Sequence, residues 1–434
     1  MGSHGISETR GTLTEPMYRK TTLPSGLRVL TEAMPAVRSV SIGIWADVGS
    51  SLESHEYRGI SHLVEHMLFK GTERRSARAI AETIDGVGGN LNAFTDKEST
   101  CYYAKVIDRH VPLATNVIAD MFLNSVFDAG ELGKEQKVVL EEIKMYEDSP
   151  DELIHDLFLQ TMWSGANLGE PTIGFTDTVV RFTPDDLREH MKRHYAPNAV
   201  VVAAAGNLEH ERFAEMVERE FAAFGGACVP PQAETPHTTP NRLIRHKDSE
   251  QAYVVVGTRG LSVRDERRYT LSLLDTLLGG GMSSRLFQEI REKRGLVYTV
   301  YSFQAAYRGA GLFGVYAGTS PENVQSYLDL VSEQFAKVRD LRVDSAELRL
   351  AKEHIKGNLT LSLESTSSRM IRLGRNEFAL GRHVTPEEIE QRIDAVTAGE
   401  VQELANELLA EKNLGLCVIG PVDESAIAWN RDAA

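Results

Sequence analysis

Cysteine is scarce in this sequence. The three cysteines among 434 residues, Cys101, Cys228 and Cys417, are an odd number at no framework spacing. That excludes a disulfide-stapled scaffold, and we expect reduced thiols and an intracellular setting. Long apolar runs are also missing. The richest, residues 199–205, is only strand-length; a transmembrane helix needs roughly 20 apolar residues, so a membrane-spanning chain is excluded. Positive charge is in deficit, with 47 Lys and Arg against 62 Asp and Glu and a net charge of −15. Such a chain is a poor generic partner for nucleic acid, which demands clustered basic surface. The opening Met1-Gly2-Ser3-His4 lacks the apolar core of a signal peptide and reads as a vector remnant. What is present, 42% hydrophobic and 25% charged residues, is ordinary globular composition. It excludes a disordered chain, and the length suggests two or more domains.

The clearest boundary lies at residues 225–241, where Pro230, Pro231, Pro236 and Pro240 stand among small and polar residues. Prolines at that density prevent regular pairing, which predicts a linker between domains at 17–224 and 242–434. The two halves echo each other. Thr183-Pro184-Asp185-Asp186 opens an amphipathic helix, and an apolar run after Asn198 closes at Gly206. Thr397-Ala398-Gly399-Glu400 opens another, and a run after Asn413 closes at Gly420. Each Thr precedes an acid by three positions, the pattern of a capping box. The two Thr residues are 214 positions apart, as are the two Gly residues, which suggests duplication. Residues 40–48 and 252–258 read as strands, and 132–146 and 324–338 have helical periodicity. Both halves therefore mix strands and helices, as layered α/β or α+β domains do.

The most informative segment is Gly59-Ile60-Ser61-His62-Leu63-Val64-Glu65-His66-Met67-Leu68-Phe69-Lys70-Gly71. It reads as one helix, with Ser61 near its start and Gly71 as its stop. Residues four apart lie about 40° apart around a helix, so His62 and His66 share a face and can grip one metal ion. Glu65 borders that face, where a carboxylate can take a proton from water without binding the metal. His-x-x-Glu-His reverses the His-Glu-x-x-His zinc motif. With 13 histidines in the chain, about 0.03 copies are expected by chance. The plainer alternative is a pair of satisfied histidines on a buried helix, but unpaired burial is costly. A catalytic zinc needs a third ligand. On a wheel of residues 131–146, Leu132, Val138, Val139, Ile143 and Tyr146 form an apolar arc that contains Glu135 and Glu142. Glu141 points the other way, beside Lys134, Lys137 and Lys144. Inward carboxylates need a cation, either a metal or an Arg in a buried salt bridge, and Glu142 is the choice over Glu141.

His62-x-x-Glu65-His66, with Glu142 following 76 residues later and Glu135 seven before it, resembles the pitrilysin-type, or inverzincin, zinc peptidases. Within these it is most similar to short bacterial relatives of the mitochondrial processing peptidase β subunit. Further matches are Gly89-Asn90-Leu91-Asn92-Ala93-Phe94-Thr95, Val138-Val139-Leu140-Glu141-Glu142-Ile143, Gly279-Gly280-Gly281-Met282-Ser283-Ser284-Arg285-Leu286 and Arg291-Glu292-Lys293-Arg294-Gly295-Leu296-Val297-Tyr298. The resemblance implies an α+β fold of two homologous sandwich domains, each a mixed sheet packed with helices, together forming half of a clamshell. It implies one zinc per chain held by His62, His66 and Glu142, with Glu65 as general base and Glu135 supporting the site. An extended peptide would add as a strand along Asn92, Ala93, Phe94 and Thr95, which by themselves read as an ordinary edge strand. Arg291 and Tyr298, by themselves a surface Arg and a core Tyr, would approach the oxygen of the tetrahedral intermediate. A chain of this length makes one half only, so they are expected to serve the partner's site in a homodimer, with peptides as substrates and a bacterial cytoplasmic location. The rival reading is a non-catalytic, peptide-binding partner subunit, in which such motifs are usually degraded; here they are intact.

Other features are set aside. His190 and His194 are four apart, but Lys192 and Arg193 between them would repel a cation, so they read as a surface helix. His155, His237, His246 and His354 read as surface or capping residues. Cys101 reads as a buried small side chain, and Glu73-Arg74-Arg75 as a solvated turn.

Overall fold

The computed structural model describes residues 17–429; the Met1-to-His4 reading falls outside them. Two sheets organise the chain. The first holds β1 (Met17–Thr22), β2 (Arg28–Ala33), β3 (Ser39–Ala46), β4 (Asn90–Thr95), β5 (Thr100–Ile107) and β6 (Val200–Gly206), in the order β1-β2-β6-β3-β5-β4. The second holds β7 (Arg242–His246), β8 (Ala252–Arg259), β9 (Val297–Ala306), β10 (Gly311–Thr319) and β11 (Gly415–Gly420), in the order β7-β11-β8-β10-β9. In each, one parallel pair (β2 with β6, β7 with β11) is followed by antiparallel pairing out to the last strand. Leaving out β1, the two sheets have one topology. The fold is α+β, built from two mixed sheets packed with helices.

The echo read from the sequence reappears as paired local geometry. Thr183 and Thr397 each complete a capping box, accepting from the backbone of Asp186 and Glu400. Asp128 and Asp344 each accept from two backbone N–H groups at the start of the long helices Ala129–Asp148 and Ser345–Ser362. These bonds satisfy donors that a helix start leaves without intrahelical partners.

Each sheet is covered on one face by helices of its own half. Over the first sheet, Ile42, Ile44 and Tyr102 pack with Leu63, Val117, Ile118 and Met121. The other face is covered by a helix from the opposite half. The helix Pro150–Met162 sets Leu153, Ile154, Leu157 and Phe158 against Val255, Leu312, Tyr316, Cys417 and Ile419 of the second sheet. In return the helix Thr366–Leu380 sets Met370 and Leu373 against Leu30, Trp45, Val201 and Ala203 of the first. Central strands β6 and β11 are thus buried on both faces, which is why they are continuous apolar runs instead of alternating ones. Residues 225–241 contain no helix or strand and run between the sheets, while the packing crosses over them.

The exchanged helices also carry polar anchors. Ser41 Oγ lies 2.9 Å from Thr366 Oγ1, Trp45 Nε1 donates to Met370 Sδ at 3.4 Å, and Arg369 pairs with the buried Glu32. In the reverse direction His155 Nε2 lies 3.0 Å from Tyr301 Oη, with its ring stacked near Tyr316. His155 is therefore not the surface residue its sequence context suggests, because its helix leaves its own half. Arg75 likewise is no solvated turn residue: it pairs at 2.5 Å with Asp120, which is buried.

Close approach of the exchanged helix requires Gly374, where an added Cβ would lie 2.3 Å from Trp45 Cε2. Gly374→Val is expected to cost about 1–3 kcal/mol through overpacking. Because both sheets share this packing, calorimetry should record one transition moved down as a whole. Separate transitions, with one unmoved, would show that the halves unfold independently.

Candidate metal centre

The motif segment forms the helix Ile60–Leu68. Ile60, Leu63, Val64, Met67 and Leu68, at spacings of three and four, are at most 1% exposed and bury one face. His62, Glu65 and His66 occupy the other face, half-buried against β4 and the helix Ala129–Asp148. The helix starts at Gly59, whose φ of 91° and a backbone neighbour at 2.6 Å from any added Cβ both require glycine. Its first amides are capped from a distance. The carboxylate of Glu53, 2% exposed, accepts from Gly59 N and Ser61 N at 2.8 Å each. Burial lifts Glu53 to about 7, against the pull of those two bonds.

The imidazoles of His62 and His66 lie 4.6 Å apart, centroid to centroid. Each turns Nε2 toward Glu142 Oε2, at 3.9 Å from His62 and 3.6 Å from His66. One ligand atom from each of the three residues lies within 4.8 Å of the others, and among the described residues this is the one such group of three or more. Zinc bonds of about 2.0–2.2 Å place tetrahedral ligand atoms roughly 3.3–3.6 Å apart, so a small inward rotation suffices. Burial, aided by His66, pushes His62 down to about 3, so its ring is neutral and keeps the lone pair a metal needs. Among the described residues its Nδ1 is buried without a hydrogen-bond partner. By chemistry and placement, two imidazoles and a carboxylate suit a divalent cation of the zinc type.

Around this trio the helix Ala129–Asp148 arranges its acids as its periodicity predicts. Glu135 is buried with Leu132, Val139 and Ile143, whereas Glu141 is exposed and pairs with Lys144. Val138 departs from the expected arc and is 44% exposed. It lies about 40° beyond Glu142 around the helix, and Glu142 already marks the rim. Glu135 Oε2 is 3.1 Å from His66 Nδ1 and its Oε1 is 2.7 Å from Lys70 Nζ. The cation opposite Glu135 is a lysine rather than an arginine. Thr95, the last residue of β4, donates to Glu65 Oε2 at 2.6 Å. Burial raises Glu65 above the ordinary glutamate range, and the nearby Glu142 adds to the rise while Thr95 and His66 oppose it.

Asn92, Ala93, Phe94 and Thr95 lie on β4, the outermost strand of the first sheet, paired with β5 on one side only. Arg291 lies in a π-helical turn, Phe287–Glu292, and its guanidinium carbon is 5.7 Å from the ring centroid of Tyr298 on β9, the outermost strand of the second sheet. Tyr298 is 77% exposed, so the core Tyr its sequence suggests is a surface side chain on an unpaired edge. Among the described residues, no hydrogen bond or ion pair joins Arg291 or Tyr298 to the histidine cluster. His190 is also not a surface residue. It reaches Ser61 Oγ at 3.4 Å beneath the motif helix, and desolvation pushes it to about 3.

Lys70, Glu53 and the Thr95–Glu65 bond escaped sequence reasoning. Lys70 was within reach, one turn after His66 on the same side. Glu53 was not, because loop residues carry no periodicity. In the second half the helix Arg268–Gly279, which follows β8 as the motif helix follows β3, contains no histidine.

A family model described as "Insulinase (Peptidase family M16)" matches residues 28–176, and one described as "Peptidase M16 inactive domain" matches residues 181–355. The uncharacterized zinc protease YmxG of Bacillus subtilis (strain 168) is 44% identical over 405 residues, 93% of this chain and 98% of its own. An uncharacterized zinc protease of Streptomyces coelicolor is 41% identical over 440 residues, 100% of this chain and 94% of its own. Among solved structures, a protease from Helicobacter pylori matches with a TM-score of 0.87 at 22% identity, over 94% of this chain and 100% of that one, a likeness of fold. At such identity over nearly the whole length, the chain belongs to peptidase family M16, the insulinase family.

Proposed function

We propose that this protein is a zinc-dependent endopeptidase that cleaves extended or unfolded peptides. The observation that carries this reading is the convergence of His62, His66 and Glu142 beside a separate, half-buried carboxylate, Glu65, that is not part of the trio. His62, His66 and Glu142 would hold one zinc ion. Zinc bound there supplies a Lewis acid for the peptide carbonyl and lowers the pKa of water.

Glu65 acts as the general base. Thr95 occupies its Oε2, which leaves Oε1 to take the proton of the attacking water and to pass it to the leaving amine. The peptide adds along the unpaired side of β4, with main-chain hydrogen bonds at Asn92, Ala93, Phe94 and Thr95. A strand-adding mode demands a segment free of its own structure, so extended or unfolded peptide is the substrate class. The strand that docks the peptide is thereby the strand that holds the base.

Arg291 and Tyr298 would supply donors to the oxyanion that develops on the carbonyl oxygen. Arg291 lies beside Tyr298 of the second sheet's outermost strand, and among the described residues neither bonds to this chain's own cluster. We therefore assign them to the partner's site in a homodimer. Among the described residues no helix is long and apolar enough to cross a membrane, and a bacterial cytoplasmic location is part of this proposal.

Three measurements test the reading. With an internally quenched, unstructured peptide, Glu65→Gln should lose about 10²–10⁴-fold in kcat while retaining wild-type zinc. Wild type that binds zinc and peptide without cleaving would instead favour the non-catalytic partner subunit. Thr95→Val should lower kcat roughly tenfold, about 1.4 kcal/mol, with KM unchanged and Thr95→Ser restoring the rate; a change in KM alone would make Thr95 a docking residue only. Mixing Glu65→Gln chains with Arg291→Ala chains should restore activity through mixed dimers that contain one intact site. No recovery in verified mixed dimers would remove the shared-site assignment.

A further inference from the structure

We propose that Lys70 is a positioning residue for the metal cluster, acting through Glu135 on the ring of His66. This rests on the zinc-site reading above and goes beyond it in naming what fixes the ring of His66.

The contacts form a series. Lys70 Nζ lies 2.7 Å from Glu135 Oε1, and Glu135 Oε2 lies 3.1 Å from His66 Nδ1. With Nδ1–H donating to the carboxylate, the lone pair of His66 is left on Nε2, the atom 3.6 Å from Glu142. The Glu135 side chain is only 7% exposed, and among the described residues each of its oxygens has a single partner. Lys70 is therefore what keeps one oxygen occupied and the carboxylate plane turned so that the other meets the imidazole. Without it, a buried carboxylate has one hydrogen bond and freedom to rotate about it.

The backbone makes Lys70 fit for this. The motif helix ends at Leu68, yet Phe69 N and Lys70 N still bond to His66 O and Met67 O at 3.2 and 3.1 Å. The helical turn thus persists long enough to keep Lys70 one turn above His66, before Gly71 redirects the chain at a φ of 125°. The Lys70 side chain is 30% exposed and methionine is close to it in length and volume, so that replacement keeps the packing. The two ligand histidines are unequal in this respect. Among the described residues His62 Nδ1 is buried without a hydrogen-bond partner, whereas His66 Nδ1 meets Glu135. Partners that orient a ligating histidine commonly change metal affinity when removed.

The test compares wild type, Lys70→Met and Lys70→Arg in the full chain by zinc titration against a chromophoric chelator, together with thermal melting of the metal-free proteins. Lys70→Met should weaken zinc binding by about 10–100-fold with an unchanged metal-free melting temperature, and Lys70→Arg should recover most of that affinity. Wild-type zinc affinity in Lys70→Met overturns the inference, and a lowered metal-free melting temperature alongside it would mark the bridge as a mere tether between helices. Should Lys70→Met fail to fold, Lys70→Gln serves as the uncharged variant, judged by the same affinity. Failure of the wild type itself to bind zinc overturns the zinc reading, and this inference with it. Tight wild-type binding that Lys70→Met leaves unchanged overturns this inference alone.

Discussion

The reciprocal exchange of two helices is the packing on which the rest of the structure depends. The helix Ala129–Asp148, which carries Glu135 and Glu142, is followed after Ser149 by the helix Pro150–Met162, whose apolar face is buried in the other half. The position of Glu142 is thus set at one end by its own half and at the other by the second sheet. The edge strand β4 is tied in the same way. Lys97, two residues beyond the end of β4, lies 4.0 Å from Asp156 of the exchanged helix, and Arg308 after β9 bonds to Asp47 at 2.8 Å and reaches Glu98 at 3.3 Å. An interface that is apolar, continuous and anchored by buried ion pairs leaves little scope for relative motion of the halves, and the site inherits that rigidity.

A second constraint is the price of placing titratable groups against a core helix. His62, His190, Glu53 and Glu65 all lose solvent, and each is shifted toward its neutral form mainly for that reason. Hydrogen bonds offset the loss where the side chain has work to do: Glu53 at the helix start, Glu65 through Thr95, His66 through Glu135. His62 Nδ1 is the exception.

Much of this was legible in the residues. Spacings of three and four put His62, His66 and Glu65 on one face. The same arithmetic chose Glu142 over Glu141, because periodicity is a local property of the backbone. The capping boxes at Thr183 and Thr397 and the apolar runs after Asn198 and Asn413 marked the duplication that the two sheet topologies display. The misreadings have a common cause. His155, His190, Arg75 and Tyr298 were judged by their neighbours in sequence, but their surroundings are made by segments far away: Tyr301 and Tyr316 for His155, Ser61 for His190, Asp120 for Arg75. For Tyr298 it is the lack, among the described residues, of a strand beyond β9 that matters.

The sequence by itself determined which side chains share a helix face, where helices begin, and which strands must be covered on both sides. All of these follow from backbone periods of 3.6 and 2 and from the pairing needs of helix-end amides. Only the tertiary structure decided that the second cover of each sheet comes from the opposite half, that Lys70 pairs with Glu135 and Thr95 donates to Glu65, and that Arg291 lies beside Tyr298 of an outermost strand. Those outcomes depend on which surfaces meet across long stretches of chain. That choice is made by matching apolar area and paired charge between segments, a quantity that no local pattern contains.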